Sequence, residues 1–396
     1  MTNPDINRLI DQIIGLKGKT CRFEDLLFIL DTLGIDYRPK KIITITGTNG
    51  KGTTATAICH ILKHNNKRFI CHTSPHLHSF NERINIDGES IDNERLSALL
   101  NTLYHTLERL QIAIGYHHVS FFITALAMTI EQPEYLVLEV GVGGRLDPAN
   151  VFDADIAIIT NVALDHTDLL GDTIDKIGLE KAAIARSKKP VILGEKMPQT
   201  VIDYCQNIHA EIIYAPTQNI SYSSSISATS INCAITACEL MTLKLPHDLN
   251  TLHLPGRCQQ IAESPLTIID VSHNEDGVRF LFDYLQQHIN LSQSRILALC
   301  STLGNKDISA IIHTGASLVD RWFIPVLNDI DARAIDEQAL KEKLPNLTNH
   351  IYSNLSTAID TIDHEIQEND ILIVFGSFVL VGAYLKYHEQ RHLSCC

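Results

Sequence analysis

The feature that most constrains this chain is a series of short, β-branched apolar runs, each bounded by turn residues and separated from the next by helix-like sequence. "KIITIT" (41–46), "EYLVLEV" (134–140), "DIAIITNV" (155–162) and "KPVILG" (189–194) open the series, with "TTATAICHILKHN" and "SFFITALAMTIE" among the stretches between them. Runs that are apolar throughout read as strands buried on both faces, and their alternation with helices calls for a mostly parallel sheet with helices on either side. A second series begins near residue 266 with "LTIIDV", then "RILALCS", "RWFIPV" and "DILIVFGS". At 396 residues the chain exceeds the roughly 250–300 at which a single core stops growing, so two α/β units are expected. Between the series lie the polar "TQNISYSSSISATS" (217–230) and the Pro- and Gly-bearing "HLPGRCQQIAESP" (253–265). The linker is expected at 253–265, between a first unit over 1–252 and a second over 266–396. The halves share architecture but no motif.

A net charge of −14 argues against a general nucleic-acid surface and makes cations set beside glycines more informative. Ten cysteines without a C-x-x-C pair suit reduced thiols in a cytosol. The N-terminal "MTNPDINRLIDQI" has no apolar signal core. The longest apolar run, "ILIVFGSFVLVGAYL" (371–385), is shorter than the roughly 18 residues that span a bilayer. A cytoplasmic protein with no membrane partner is expected, acting as a monomer.

Strand "KIITIT" runs into "GTNGKGTT", which departs from the common phosphate loop: Ile45 stands where the first glycine belongs, and Gly52 follows Lys51. The physics of such a loop is nevertheless present. Gly47, Gly50 and Gly52 let backbone N–H groups approach phosphate oxygens, Lys51 adds a point charge, and Thr53 is placed to reach a magnesium ion.

In open α/β sheets ligands gather beyond the carboxyl ends of strands, and several strands here end in polar residues. "YLVLEVGVGGRLDP" sets Glu139 inside an apolar run, which is costly unless the carboxylate binds a metal or pairs, with Arg145 as the available cation. "IITNVALDHTDLLG" supplies Asn161, Asp165, His166 and Asp168, equally readable as metal ligands or as helix capping. Lys181, in "GLEKAAIARSKKP", reads as a solvated lysine early in a helix. In the second series, Asp270, His273 and Asn274 follow "LTII", Gly304, Lys306 and Asp307 follow "LALCS", and Gly376 and Ser377 close "VFGS".

The order and spelling of "TGTNGKGT", "TSPHLHSFNERINIDG", "LEVGVGGRLDPAN", "NVALDHTDLLGDTIDKIGLEKAAIAR", "LPGR", "DVSHN", "GNKD" and "VFGSF" resemble the folylpolyglutamate synthase/dihydrofolate synthase family of the Mur ligase superfamily. The resemblance implies a P-loop ATPase domain followed by a smaller Rossmann-like α/β domain. It also implies ATP-dependent amide ligation: a folate or pteroate carboxylate attacks the γ-phosphate, and the amino group of L-glutamate displaces phosphate from the acyl phosphate. Carried over residue by residue, Gly47, Thr48, Asn49, Gly50, Lys51, Gly52 and Thr53 hold the ATP phosphates. Thr53, Ser74, Glu139 and His166 hold Mg2+. Lys181 is a carbamate, and Asn232, Arg257, Asp270 and His273 contact ATP. The resemblance places Lys51, His166 and Lys181 in the catalytic machinery and Arg83, Phe121, Leu146 and Asp147 on the acceptor side. Phe121 stands where the family usually has a glutamate, and its ring offers a pterin's N–H groups no acceptor. The alternatives are therefore a monofunctional folylpolyglutamate synthase and a Mur-like ligase for another acid.

Overall fold

A computed structural model describes residues 4–195, 197–216, 225–249, 252–291, 294–304 and 306–394. The chain divides into two compact units, Met1–Leu252 and His253–Cys396.

In the first unit the strands are β1 (Lys19–Thr20), β2 (Lys41–Thr46), β3 (Phe69–His72), β4 (Ile84–Ile86), β5 (Glu89–Ser90), β6 (Ile112–Ala113), β7 (Tyr135–Glu139), β8 (Ile156–Ile159), β9 (Pro190–Leu193) and β10 (Glu211–Tyr214). Eight of them form one sheet in the order β10-β9-β8-β2-β7-β3-β4-β5. Pairing is parallel from β10 to β3, and β4 and β5 turn back as antiparallel edge strands. The buried run "IITIT" makes β2 the centre, with β8 on one side and β7 on the other. Because β2, β3, β7 and β8 run the same way, the loops after Thr46, His72, Glu139 and Ile159 leave from one edge of the sheet. That is what gathers distant motifs.

Helices cover the sheet through apolar faces at helical spacing. In helix Asn93–Leu110, Leu96, Leu99, Leu100, Leu103 and Leu107 are buried, Asp92 caps its start by accepting from Arg95 N, and Gln111 ends it in a left-handed conformation. Helix Lys51–His64 packs on helix Ala228–Leu240, and Thr54 Oγ1 donates to Ser230 O across them.

The second unit carries β11 (Gln259–Glu263), β12 (Leu266–Asp270), β13 (Ile296–Cys300), β14 (Arg321–Pro325), β15 (Ile351–Tyr352) and β16 (Ile371–Phe375), in the order β11-β12-β16-β13-β14-β15. All pairs are parallel except β11 with β12. The expected linker 253–265 therefore belongs to this unit. Gln259–Glu263 is an edge strand, which sequence misses because an antiparallel edge needs no apolar run. Of the polar stretch 217–230, residues 217–224 lie outside the described residues. Among the described residues no helix is long and apolar enough to cross a membrane.

Candidate active site

"TGTNGKGT" forms the turn from β2 into helix Lys51–His64. Gly47 (φ +152°) and Gly50 (φ +81°) take angles that other residues rarely adopt. Space excludes side chains as well: a Cβ on Gly47 would lie 1.8 Å from Thr160 Oγ1, and one on Gly50 2.3 Å from Ser230 Oγ. The end of β8 fastens the loop. Asn161 Oδ1 accepts from Thr48 N (3.1 Å) and Asn49 N (2.9 Å), and Thr160 Oγ1 donates to Asn49 O (2.6 Å). Lys51 Nζ donates to Gly47 O (3.0 Å) and Thr48 O (3.1 Å), which sets its ammonium over the turn. Thr53 is buried in the helix's first turn, where unpaired backbone N–H groups and the helix dipole favour an anion. Gly47→Ala is expected to cost on the order of 1–3 kcal/mol of stability and to weaken ATP binding, measured by thermal melting and nucleotide titration.

Glu139 ends β7 with only 4% of its surface exposed. Its Oε2 accepts from Ser74 N at 2.8 Å, in the loop after β3. It faces the phosphate loop closely enough that a Cβ on Gly52 would lie 3.4 Å from Oε2. Arg145 is not its partner: Arg145 Nε donates instead to Glu180 Oε1 at 2.8 Å. The expected Glu139–Arg145 ion pair is thereby corrected. His166 has φ +50° and occupies the N-cap position of the short helix Thr167–Leu170 without a side-chain cap bond, its N donating to Asp165 Oδ1. Capping thus does not account for its imidazole.

Among the described residues no three His, Cys, Asp or Glu side chains close into a metal cage. A magnesium ion does not need one, since it keeps waters and takes phosphate oxygens. A buried carboxylate set against the glycine of a phosphate loop, with the Thr53 and Ser74 hydroxyls as further oxygen donors, fits such an ion.

Lys181 departs from its expected setting. It lies in the last turn of helix Ile174–Ala182, not early in it, and is 3% exposed rather than solvated. Asn232 is buried and donates through Nδ2 to Pro216 O at 2.7 Å.

On the acceptor side, Leu146 is 58% exposed, whereas Phe121 is 1% exposed and packs against Phe122 and Phe152. Phe121 is core, because its place in helix Tyr116–Glu131 points it into the layer beneath the sheet edge. Arg83 is buried, donating through Nε to His76 Nδ1 (2.8 Å) with its guanidinium over Tyr116 and Phe80. Asp147 is engaged by its own chain. Oδ1 accepts from Ala149 N (2.9 Å), and Oδ2 accepts from Gly141 N (2.9 Å) and from His117 Nε2 (3.0 Å). Burial works to raise the Asp147 carboxyl, but the charge and hydrogen bond of His117 and the backbone donors outweigh it and hold it below the ordinary range. Behind His117, His72 is fully buried; burial, with His117 and Arg83 nearby, pushes it down to about 3, so it is neutral at ordinary pH.

In the second unit, Asp270 also serves its own chain, accepting from Cys258 N (2.8 Å) and Ser272 N (2.7 Å). It fixes the turn that bears Arg257, whose guanidinium lies 5.8 Å from the centre of the Phe378 ring. His273 Nδ1 is 3.0 Å from Val271 O. Sequence reasoning missed Thr160, Ser230, His72, His117 and Ser120. For His117 the available signal was "YHH" at a helix start, which no spacing rule singles out.

Residues 45–259 match the Mur ligase middle domain, and residues 256–378 match the Mur ligase, glutamate ligase domain. The Dihydrofolate synthase/folylpolyglutamate synthase of Escherichia coli (strain K12) is 30% identical over 393 residues, covering 93% of this chain and 91% of that protein. The chain belongs to this family. The Folylpolyglutamate synthase of Lacticaseibacillus casei is also 30% identical, over 82% of this chain and 87% of its own length. A solved structure of E. coli FolC in complex with DHPP and ADP superposes with a TM-score of 0.87 at 27% identity, covering 98% of each chain. A crystal structure of a bifunctional folylpolyglutamate synthase/dihydrofolate synthase with Mn, AMPPNP and L-glutamate bound gives 0.86 at 27% identity, covering 97% of this chain and 98% of that one. Members of the family are ATP-dependent ligases that form amide bonds and use a divalent metal ion, and this chain is such an enzyme.

Proposed function

We propose that this ligase joins the amino group of L-glutamate to the carboxyl group of dihydropteroate, of a reduced folate, or of both, in the cytosol and as a monomer. The observation that carries the reading is Glu139, a buried carboxylate held by Ser74 N and set against Gly52 of a lysine-bearing phosphate loop. Phosphoryl transfer asks the protein mainly for positioning and charge neutralisation. The loop's N–H groups and Lys51 hold the triphosphate. Thr53, Ser74, Glu139 and His166 are the proposed metal holders, and the ion when bound neutralises charge on the phosphates. An oxygen of the acceptor carboxylate bonds to the γ-phosphorus as the bond to ADP breaks. The glutamate nitrogen, having lost a proton, then bonds to the acyl carbon, and inorganic phosphate leaves. Asn232, Arg257 and His273 are proposed nucleotide contacts, with Asp270 positioning Arg257.

A monofunctional folylpolyglutamate synthase is the second reading. It is favoured by Phe121, which lies in the core and offers the pterin no acceptor, and by Asp147 being engaged by His117 and the backbone of its own chain. Purified protein with ATP, magnesium and glutamate is expected to release phosphate on addition of dihydropteroate or tetrahydrofolate, with product mass identifying the amide. Release with tetrahydrofolate alone selects the second reading. Release with neither, alongside release with some other carboxylic acid, rejects the folate assignment.

A further inference from the structure

Strand β8 ends at Ile159, and the residues after it engage the first half of the phosphate loop at almost every polar atom of its backbone. Thr48 N donates to Asn161 O and to Asn161 Oδ1, both at 3.1 Å, and Asn49 N donates to the same Oδ1 at 2.9 Å. Thr160 Oγ1 donates to Asn49 O at 2.6 Å. Thr48 Oγ1 makes a two-way contact with Ala163, donating to its O (3.1 Å) and accepting from its N (3.0 Å). The fit is steric as well. Thr160 is buried between two glycines: its Oγ1 lies 1.8 Å from where a Cβ on Gly47 would stand, and its O 2.0 Å from a Cβ on Gly194.

Neither role expected for Asn161, metal ligand or helix cap, describes it. A carboxamide oxygen has two lone pairs, and Thr48 N and Asn49 N take both, which leaves none for a metal ion. Successive N–H groups converging on one oxygen form the kind of nest that binds anions, and here a neutral side chain of the protein itself fills it. Beyond Asn49, Gly50 caps helix Lys51–His64 at φ +81°, and Lys51 Nζ folds back onto Gly47 O and Thr48 O. The direction of the first-turn N–H groups and of the Lys51 ammonium is therefore set by where Thr48 and Asn49 sit. A glycine-rich loop without such a seat would have to be ordered by the nucleotide, at a cost in conformational entropy.

We propose that Asn161 and Thr160 are positioning residues for ATP: they hold Thr48 and Asn49 in the geometry that aims the first turn of helix Lys51–His64 at the triphosphate. Neither has to touch the nucleotide. The proposal rests on the reading of residues 47–53 as the triphosphate site and not on the identity of the acceptor. Ordering the loop in advance favours ground state and transition state equally, so its loss shows in ATP affinity rather than in turnover at saturating ATP.

The test compares wild type with Thr160→Val, Thr160→Ser and Asn161→Ala. Val keeps the shape of Thr without its donor, and Ser keeps the donor. Calorimetric titration with magnesium and ATP, without acceptor, is expected to show affinity about tenfold weaker in Thr160→Val, the loss of one hydrogen bond, and at least about tenfold weaker in Asn161→Ala. Thr160→Ser is expected to stay within about threefold of wild type. Turnover at saturating ATP, with whichever acceptor the wild type uses, is expected to fall less than about threefold, and the KM for glutamate to change less than about twofold. Without nucleotide, the Thr48 and Asn49 amides are expected to exchange at least about tenfold faster in Asn161→Ala than in wild type, followed by NMR. Melting temperatures show whether Asn161→Ala folds, and the isosteric Thr160→Val decides the proposal if it does not. Unchanged ATP affinity in Thr160→Val, a Ser variant no better than Val, a loss confined to turnover, or equal exchange in a folded Asn161→Ala overturns the proposal and leaves the loop reading intact. Magnesium and ATP that slow no amide exchange in residues 47–53 of the wild type overturn the loop reading and this proposal with it.

Discussion

Glu139→Gln is expected to lower turnover at least about a hundredfold, close to 3 kcal/mol of lost transition-state stabilisation, without unfolding the protein. Gln has nearly the same volume, and its amide oxygen can still accept from Ser74 N, so the loop after β3 keeps its anchor. What disappears is a negative charge set against the phosphate loop, replaced by a neutral group that binds a divalent ion poorly. Because the volume and the contact to Ser74 N are kept, the melting temperature is expected to stay close to that of wild type. ATP-dependent phosphate release at saturating acceptor and glutamate, measured across a magnesium titration, checks the claim. Turnover within twofold of wild type, with an unchanged magnesium dependence, would remove Glu139 from the metal site.

That prediction shows where sequence is sufficient. A carboxylate in a run as apolar as "YLVLEV" announces a cost that something must offset, and the period and composition of the runs set out the parallel sheets. Carboxyl-end reasoning then gathers the loops after β2, β7 and β8, because parallel strands present those ends together; the four-residue β3 is not among the runs the sequence offers, and Ser74 after it enters only through the resemblance. What was not legible depends on which face of a helix a residue takes and on which partner it finds. Arg145 is six positions from Glu139 and still pairs with Glu180, thirty-five positions away from it. Phe121 sits at a motif position but faces the core, and Asp147 meets His117 from a helix thirty residues earlier. The strand Gln259–Glu263 escaped for a related reason, since an edge strand needs no apolar signature.

Lys181→Ala is expected to lower turnover about a hundredfold or more while ATP binding stays within about threefold of wild type. The side chain is 3% exposed in the last turn of helix Ile174–Ala182, and an ammonium is costly to bury, so a solvated-lysine role does not describe it. A neutral lysine amine can attack carbon dioxide: the nitrogen–carbon bond forms, a proton is released, and the cation becomes an anion able to help order the metal site or the incoming amine. Three outcomes then go together. Lys181→Arg should be no better than alanine, because a guanidinium is not carbamylated and keeps its charge. Small carboxylic acids such as acetate should restore part of the activity of Lys181→Ala by placing an anion in the space left by the side chain. Exhaustive removal of carbon dioxide should lower wild-type turnover and leave Lys181→Ala unaffected. An alanine variant with wild-type turnover, or an arginine variant that restores it, would show that position 181 needs at most a buried cation.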